Sequence, residues 1–318
     1  MTKITSSLFL AALLALGLHV ASAQAQWVHT CVSAASGNDA NSCHCTTPCR
    51  TFQRAHDQTL SDGQITVLDP GGYGPVTITK SISIVNDGNG TASIIVSGNA
   101  TGVEISSGNA IYVNLRGLTI QGVGFGGTTG VRFDNGFTLT ITNCVIRNHT
   151  GNGIEFKPNA KSNLAVSNTL VADNGQSGIF VQPRGTGAVK TVFNRVEAYN
   201  NSVHGFAVEG QLATNTTSIT AMALDSVAVA NNGTGFRAFS SSGGAVIITV
   251  LTRFSAAANG TGISALPTDR VALGISQSTL LRNDVTWPGK VESYGDNVVL
   301  FNGDNDPAAL FNISGSKK

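Results

Sequence analysis

A glycine followed by an apolar residue recurs along most of the chain. The pairs are Gly102-Val103, Gly130-Val131, Gly153-Ile154, Gly178-Ile179, Gly205-Phe206, Gly235-Phe236 and Gly262-Ile263, at steps of 23 to 30 residues. Self-similarity at such a period marks a repeat architecture. Each glycine opens a short alternating stretch, as in Val131-Arg132-Phe133-Asp134, Ile154-Glu155-Phe156-Lys157 and Phe206-Ala207-Val208-Glu209. Alternation of this kind predicts a strand with one buried face. A second strand follows in each unit, as in Leu139-Thr140-Ile141-Thr142, Leu164-Ala165-Val166-Ser167 and Ile247-Ile248-Thr249-Val250. It leads into a polar corner at Asn143, Asn168, Asn194 and Asp225. A third segment, such as Leu170-Val171-Ala172 or Val227-Ala228-Val229, reaches a second corner at Asn148-His149, Asp173-Asn174, Asn200-Asn201 or Asn231-Asn232. Asn and Asp suit such corners because their side chains bond the local backbone and tolerate left-handed conformations.

Three short strands in each unit of about 26 residues, with no helix between them, predict an all-β parallel β-helix solenoid. Every strand pairs in parallel with its equivalents above and below, and stacking supplies the buried face that one coil lacks. Leucine-rich repeats need a fixed leucine-asparagine pattern that is absent. Propellers need longer blades and aromatic markers, whereas Phe, Tyr and Trp make up only 6% of this chain. Stacked strands place side chains in columns. The outward positions after each glycine form one column of Glu104, Arg132, Glu155, Phe180, Ala207, Arg237 and Ser264. Two residues further on lies a second, of Ser106, Asp134, Lys157, Gln182, Glu209, Phe239 and Leu266.

The stretch from Gly63 to Ile78, with Gly71-Gly72-Tyr73-Gly74-Pro75, resembles the opening coil of the right-handed parallel β-helix superfamily typified by pectate lyases. Its continuation Thr79-Lys80-Ser81-Ile82-Ser83-Ile84 fits too, and Leu115-Arg116-Gly117-Leu118-Thr119-Ile120 is similar to an interior coil. The resemblance covers roughly residues 50–300 and implies a right-handed coil with a short N-terminal capping helix. The segment from Arg50 to Leu60, with Phe52, Ala55 and Leu60 apolar, fits that helix. The catalytic motifs of the superfamily are not matched. Pro183-Arg184 reverses an arginine-proline order and lacks an acidic cluster. His204-Gly205 is the one fragment of a polygalacturonase series.

An apolar run from Leu8 to Val20, followed by Ala21-Ser22-Ala23-Gln24-Ala25, reads as a secretory signal peptide over residues 1–25, cleaved after Ala23 or Ala25. No later stretch is long and apolar enough to span a bilayer. A secreted or periplasmic location makes Cys31, Cys43, Cys45 and Cys49 two disulfides of unassigned pairing. His29 and His44 sit among them and raise zinc as the alternative, but the spacing fits no usual zinc ribbon. Cys144 stands apart and reads as a small buried hydrophobe. No metal or cofactor is expected. The expected organisation is a disulfide-rich cap with a short helix over residues 26–62, the β-helix over 63–300, and a C-terminal cap and polar tail over 301–318, with Trp287, Tyr294 and Phe301 near that end.

Nineteen Lys and Arg against 18 Asp and Glu leave a formal charge of +1 and exclude a basic nucleic-acid binder. Only 12% of the residues are charged, so the charges that cluster on one face are informative. Arg132, Asp134, Glu155, Lys157, Phe180, Glu209 and Arg237 form the candidate binding surface. Carboxylates and arginines grip sugar hydroxyls or uronate groups there, and Phe180 or Phe239 stacks on a sugar face. Asp134 with Glu155 is a candidate acid/base pair, and His149 and His204 are candidate bases. The expected role is a monomeric, non-enzymatic exported protein with a carbohydrate-binding or structural surface. Its alternative is a polysaccharide lyase or glycoside hydrolase acting on an extracellular glycan.

Overall fold

The structure is a computed structural model that describes residues 26–108, 110–122, 126–306 and 311–312. The expected signal peptide and most of the expected C-terminal tail lie outside the described residues. Among the described residues, short strands stack in two sheets, one of twenty strands and one of eight, and every pairing between these strands is parallel. The smaller sheet consists of Val76–Ile78 and the glycine-marked strands Thr101–Ile105, Thr129–Phe133, Ile154–Phe156, Ile179–Val181, Phe206–Glu209, Thr234–Phe239 and Thr261–Leu266. Their order in space follows their order in the chain, which is the topology of a solenoid. The core runs along the axis. Val103, Val131, Ile154, Ile179, Phe206, Phe236 and Ile263 all point inward and are fully buried. Phe206 and Phe236 stack on consecutive coils, and Phe254 packs edge-on against both.

The marker glycines do not turn the chain: none of them has a positive φ. They are required by close approach. A Cβ on Gly205 would lie 2.8 Å from the Gly235 carbonyl oxygen and 3.0 Å from the Asn231 side-chain nitrogen. That nitrogen belongs to a buried column of asparagines, of which Asn174, Asn201, Asn231 and Asn259 stand at the corners preceding the last four marker strands and Asn283 and Asn302 continue it on the coils beyond. From Asn201 to Asn302 each amide oxygen accepts from the side chain and backbone N–H of the asparagine one coil earlier, as Asn231 does from Asn201 at 2.9 and 3.0 Å. From Asn201 to Asn302 each amide nitrogen also donates to a backbone carbonyl, as Asn231 does to Ala198. Buried amides persist only when satisfied in this way. His149 opens the column, its backbone N–H donating to Asn174. The Asp306 carboxylate closes it, accepting from the Asn302 side chain and amide.

The residue before each column member takes the left-handed conformation: Asn148, Asp173, Asn200, Ala230, Ala258, Arg282 and Phe301. Two sequence-based placements shift by one position. Asn231 equals Asn174 and Asn201 in register, so Ala230 and not Asn231 makes that turn. At the other corner Arg195, not Asn194, pairs with Asn168 and carries the positive φ. Tertiary hydrogen bonding holds Ala and Arg where local preference favours Asn.

The expected capping helix spans Phe52–Gln58, with Thr51 as its N-cap and Phe52 and Ala55 fully buried against the first coil. It stops short of Leu60, which is 39% exposed and lies in the strand Thr59–Val67. The sheet also reaches back into residues 26–62, because Trp27–Val32 pairs with Thr59–Val67. The disulfides are Cys31–Cys45 and Cys43–Cys49. They hold a loop against the outer edge of Trp27–Val32, where Cys31 donates to the Cys43 carbonyl and accepts from the Cys49 amide. An open strand edge is a template for aggregation, and this loop covers it.

Candidate functional site

The smaller sheet brings the predicted columns together in register. Arg132 pairs with Glu104 and Glu155, Glu155 with Phe180, Phe180 with Ala207, and Ala207 with Arg237. Neighbouring strands lie about 4.8 Å apart, so these side chains touch along the axis. Arg132 Nε sits 2.7 Å from Asp134 Oδ2 and 4.0 Å from Glu155 Oε2. Asp134, and to a lesser degree Glu155 and Glu104, hold the Arg132 guanidinium firmly in its charged form. Lys157 Nζ pairs with Glu155 Oε1, and its ammonium stands 5.6 Å from the centre of the Phe180 ring.

Further along the axis, Arg237 Nε donates to Glu209 Oε1 at 3.1 Å. Its guanidinium lies 4.4 Å over the Phe239 ring. Glu209 Oε2 also accepts from Gln182 at 3.1 Å and Gln211 at 2.5 Å. The small side chain of Ala207 separates this group from the Arg132–Lys157 group. The face is more covered than a solvated strand surface. Glu155 is 8% exposed and Ala207 only 1%. A cleft of about 270 Å³ flanks it where the chain leaves the strands, lined in part by Asn135, Phe137, Asn159 and Lys161.

The two histidines lie apart from this picture of exposed bases. His149 is buried, as the first rung of the asparagine column. Burial lowers its pKa to about 4, against the opposing hydrogen bond with the Ile120 carbonyl. His204 Nδ1 accepts from the Thr234 amide at 2.9 Å. Its pKa also falls to about 4, through burial first and then the nearby Arg237 charge, with Glu209 opposing. Both rings are therefore neutral near pH 7, and each serves the corner that it occupies. Burial raises the Cys144 thiol to about 11, so it has little thiolate character. His29 approaches Cys31 and Cys45, but those sulfurs are joined to each other and are not thiolate donors.

The match to a family model decides the relationship. A model described as a right handed beta helix region matches residues 66–221 and 101–265. The chain belongs to the right-handed β-helix family. No curated protein matches the chain in sequence. Among solved structures, this β-helix protein is similar to that of the pectate lyase Pel9A, at 16% identity and a TM-score of 0.53, over 88% of this chain and 81% of the other. It also aligns with a rhamnogalacturonan lyase at 10% identity and a TM-score of 0.48, over 90% and 85%. At 16% identity the likeness to the pectate lyase is one of fold, and a β-helix carries many functions.

Gln182, Phe239 and Gln211 join the site in the structure. Gln182 and Phe239 were legible as column members. Gln211 follows Gly210, beyond the alternating strand, and no pattern in the sequence points to it.

Proposed function

We propose that this β-helix protein is carbohydrate-active, binding a polysaccharide chain along the outer face of the eight-stranded sheet. The observation that carries this is the in-register run of charged, amide and aromatic side chains on five successive coils, from Arg132 to Phe239. Its rise of about 4.8 Å per coil is close to the length of one sugar unit, so a chain laid along the axis meets one rung per sugar. Phe180 and Phe239 offer apolar surface to sugar C–H groups, and the ion pairs offer donors and acceptors to hydroxyls. The apolar run Leu8–Val20 and the two disulfides support a secreted or periplasmic location.

A second reading is cleavage of the bound chain, as a glycoside hydrolase or polysaccharide lyase. The specific observation is that Asp134 and Glu155, on adjacent coils, flank one guanidinium nitrogen. Paired carboxyls are what glycoside hydrolysis uses: one gives a proton to the leaving oxygen while the other takes one from water or attacks the sugar. The fold shared with a pectate lyase supports this reading as well as it supports binding alone.

The test is to incubate the protein with neutral and acidic polysaccharides and to measure both retention and new chain ends. Retention that falls in Phe180→Ala supports the binding face, and unchanged retention overturns it. New chain ends that disappear in Asp134→Asn and Glu155→Gln, with thermal melts preserved, establish cleavage. If no chain ends form with any substrate, binding is the whole function.

A further inference from the structure

We propose that the glycan taken by this face is an uncharged polysaccharide and not a polyuronate, an inference that rests on the polysaccharide-binding reading above. The two columns carry three cations, Arg132, Lys157 and Arg237, and four carboxylates, Glu104, Asp134, Glu155 and Glu209. Lys161 at the rim of the flanking cleft brings the balance only to even. Each of the three cations is already held: Arg132 by Asp134, Lys157 by Glu155 and Arg237 by Glu209. Opposite charges alternate both along the axis and across the face. An anionic polymer therefore meets no net positive field to attract it.

Exchange of partners is also disfavoured. A uronate could take a cation only by leaving its carboxylate behind. Those carboxylates are the more covered members of the pairs: the Asp134 side chain is 18% exposed against 41% for Arg132, that of Glu155 11% against 18% for Lys157, and that of Glu209 12% against 25% for Arg237. Stripping the partner from a covered charge is costly. Glu209 cannot swing away easily, because Gln182 and Gln211 grip its other oxygen. A uronate drawn to Arg237 would thus face a fixed negative charge, which discriminates against it.

Neutral sugars avoid this conflict. A hydroxyl can donate to a carboxylate oxygen and accept from a guanidinium N–H without breaking the ion pair, since a guanidinium has five donors and the pair with Glu209 engages Nε. Phe180 and Phe239 add apolar contact. An uncharged sugar has no carboxyl group to acidify its C5 proton for β-elimination. If the chain is cut here, the reaction class is hydrolysis, with water's proton going to a carboxylate and a carboxyl proton going to the leaving oxygen.

The experiment is affinity electrophoresis of the protein in gels cast with galactomannan, dextran, polygalacturonate or chitosan, at low and high salt, with either Ca²⁺ or a chelator. A neutral gel is expected to retard the protein at least about tenfold more strongly than polygalacturonate, with little dependence on salt. In Glu155→Gln/Glu209→Gln, Lys157 and Arg237 lose their partners, so salt-sensitive retention by polygalacturonate should appear. The single variant Glu209→Gln serves if the double variant melts early. Stronger retention of the unaltered protein by polygalacturonate or by chitosan, with or without Ca²⁺, overturns the inference. So does a folded variant that gains no affinity for polygalacturonate. If no gel of any class retards the protein, the polysaccharide-binding reading itself fails, an outcome distinct from binding with the wrong charge preference.

Discussion

A column of asparagines and a pair of outward columns run along this solenoid, and they differ in what surrounds them. The asparagine column is buried, uniform and closed: each amide satisfies the next, and His149 and Asp306 terminate it. The column pair on the eight-stranded sheet is half-covered, mixed in charge and open on one side. The same stacking of one residue above another builds both. Burial makes the first a scaffold, because an unpaired amide there is expensive. Partial exposure leaves the second able to exchange a bond with a ligand.

The largest expected effect is on the scaffold. Asn231→Leu removes an amide that bonds Asn201, Asn259 and Ala198 and strands buried groups on both sides. A loss of about 3–5 kcal/mol is expected, read as a lower urea midpoint. A loss under about 1 kcal/mol would show that the column is not what holds the coils.

The N-terminal cap comes next. Replacing Cys31 and Cys45 by Ser opens a bridge across 14 residues and should cost about 2–4 kcal/mol. Limited proteolysis should then cut the loop around residues 38–48 before any coil. Cutting within the coils first would contradict the role of the loop as an edge cover.

The third test separates His149 from an ordinary surface base. Burial depresses the His149 pKa in the folded chain to about 4, below the unfolded value of about 6.5. The unfolded state therefore binds more protons between those values. Stability is fully present above about pH 6.5 and is lost as the pH falls towards 4. The His149 contribution to that loss is up to about 3 kcal/mol. His149→Asn extends the amide column and should flatten that part of the decline. Urea melts at pH 7 and pH 5 check it, and an equally steep decline in the variant would remove His149 as its source.

The smallest stability effect belongs to the open column. Arg237→Ala leaves the covered Glu209 carboxylate without its cation but still bonded by Gln182 and Gln211, and should cost about 1–2 kcal/mol. Glycan retention should nevertheless fall. A large stability loss with unchanged retention would mean that this column too is scaffold.

Much of this was legible in the chain. The glycine period and the alternation after each glycine specify a stacked coil, and counting from each glycine put Arg132, Glu155, Phe180 and Arg237 on one line. The corners were read one residue out at Asn194 and Asn231, because Asn looks like a turn residue wherever it stands. In the structure its commoner role is as the buried rung, and the turn before that rung falls to Ala230, Ala258 or Arg282, while at the other corner Arg195 turns beside a half-buried Asn194. The helix was read too long because Leu60 continues its apolar spacing, yet Thr59 already pairs in the sheet.

The period, the inward-facing residues and the outward residues that share a column can all be read from the chain alone. These follow from local spacing, and stacking repeats whatever spacing one coil has. Only the tertiary structure decided why the marker is glycine, how four cysteines pair and which carboxylate faces which cation. Each of those depends on atoms one coil away, where a Cβ meets the neighbouring amide, a loop meets an open edge, and a charge is held by its partner before any ligand arrives.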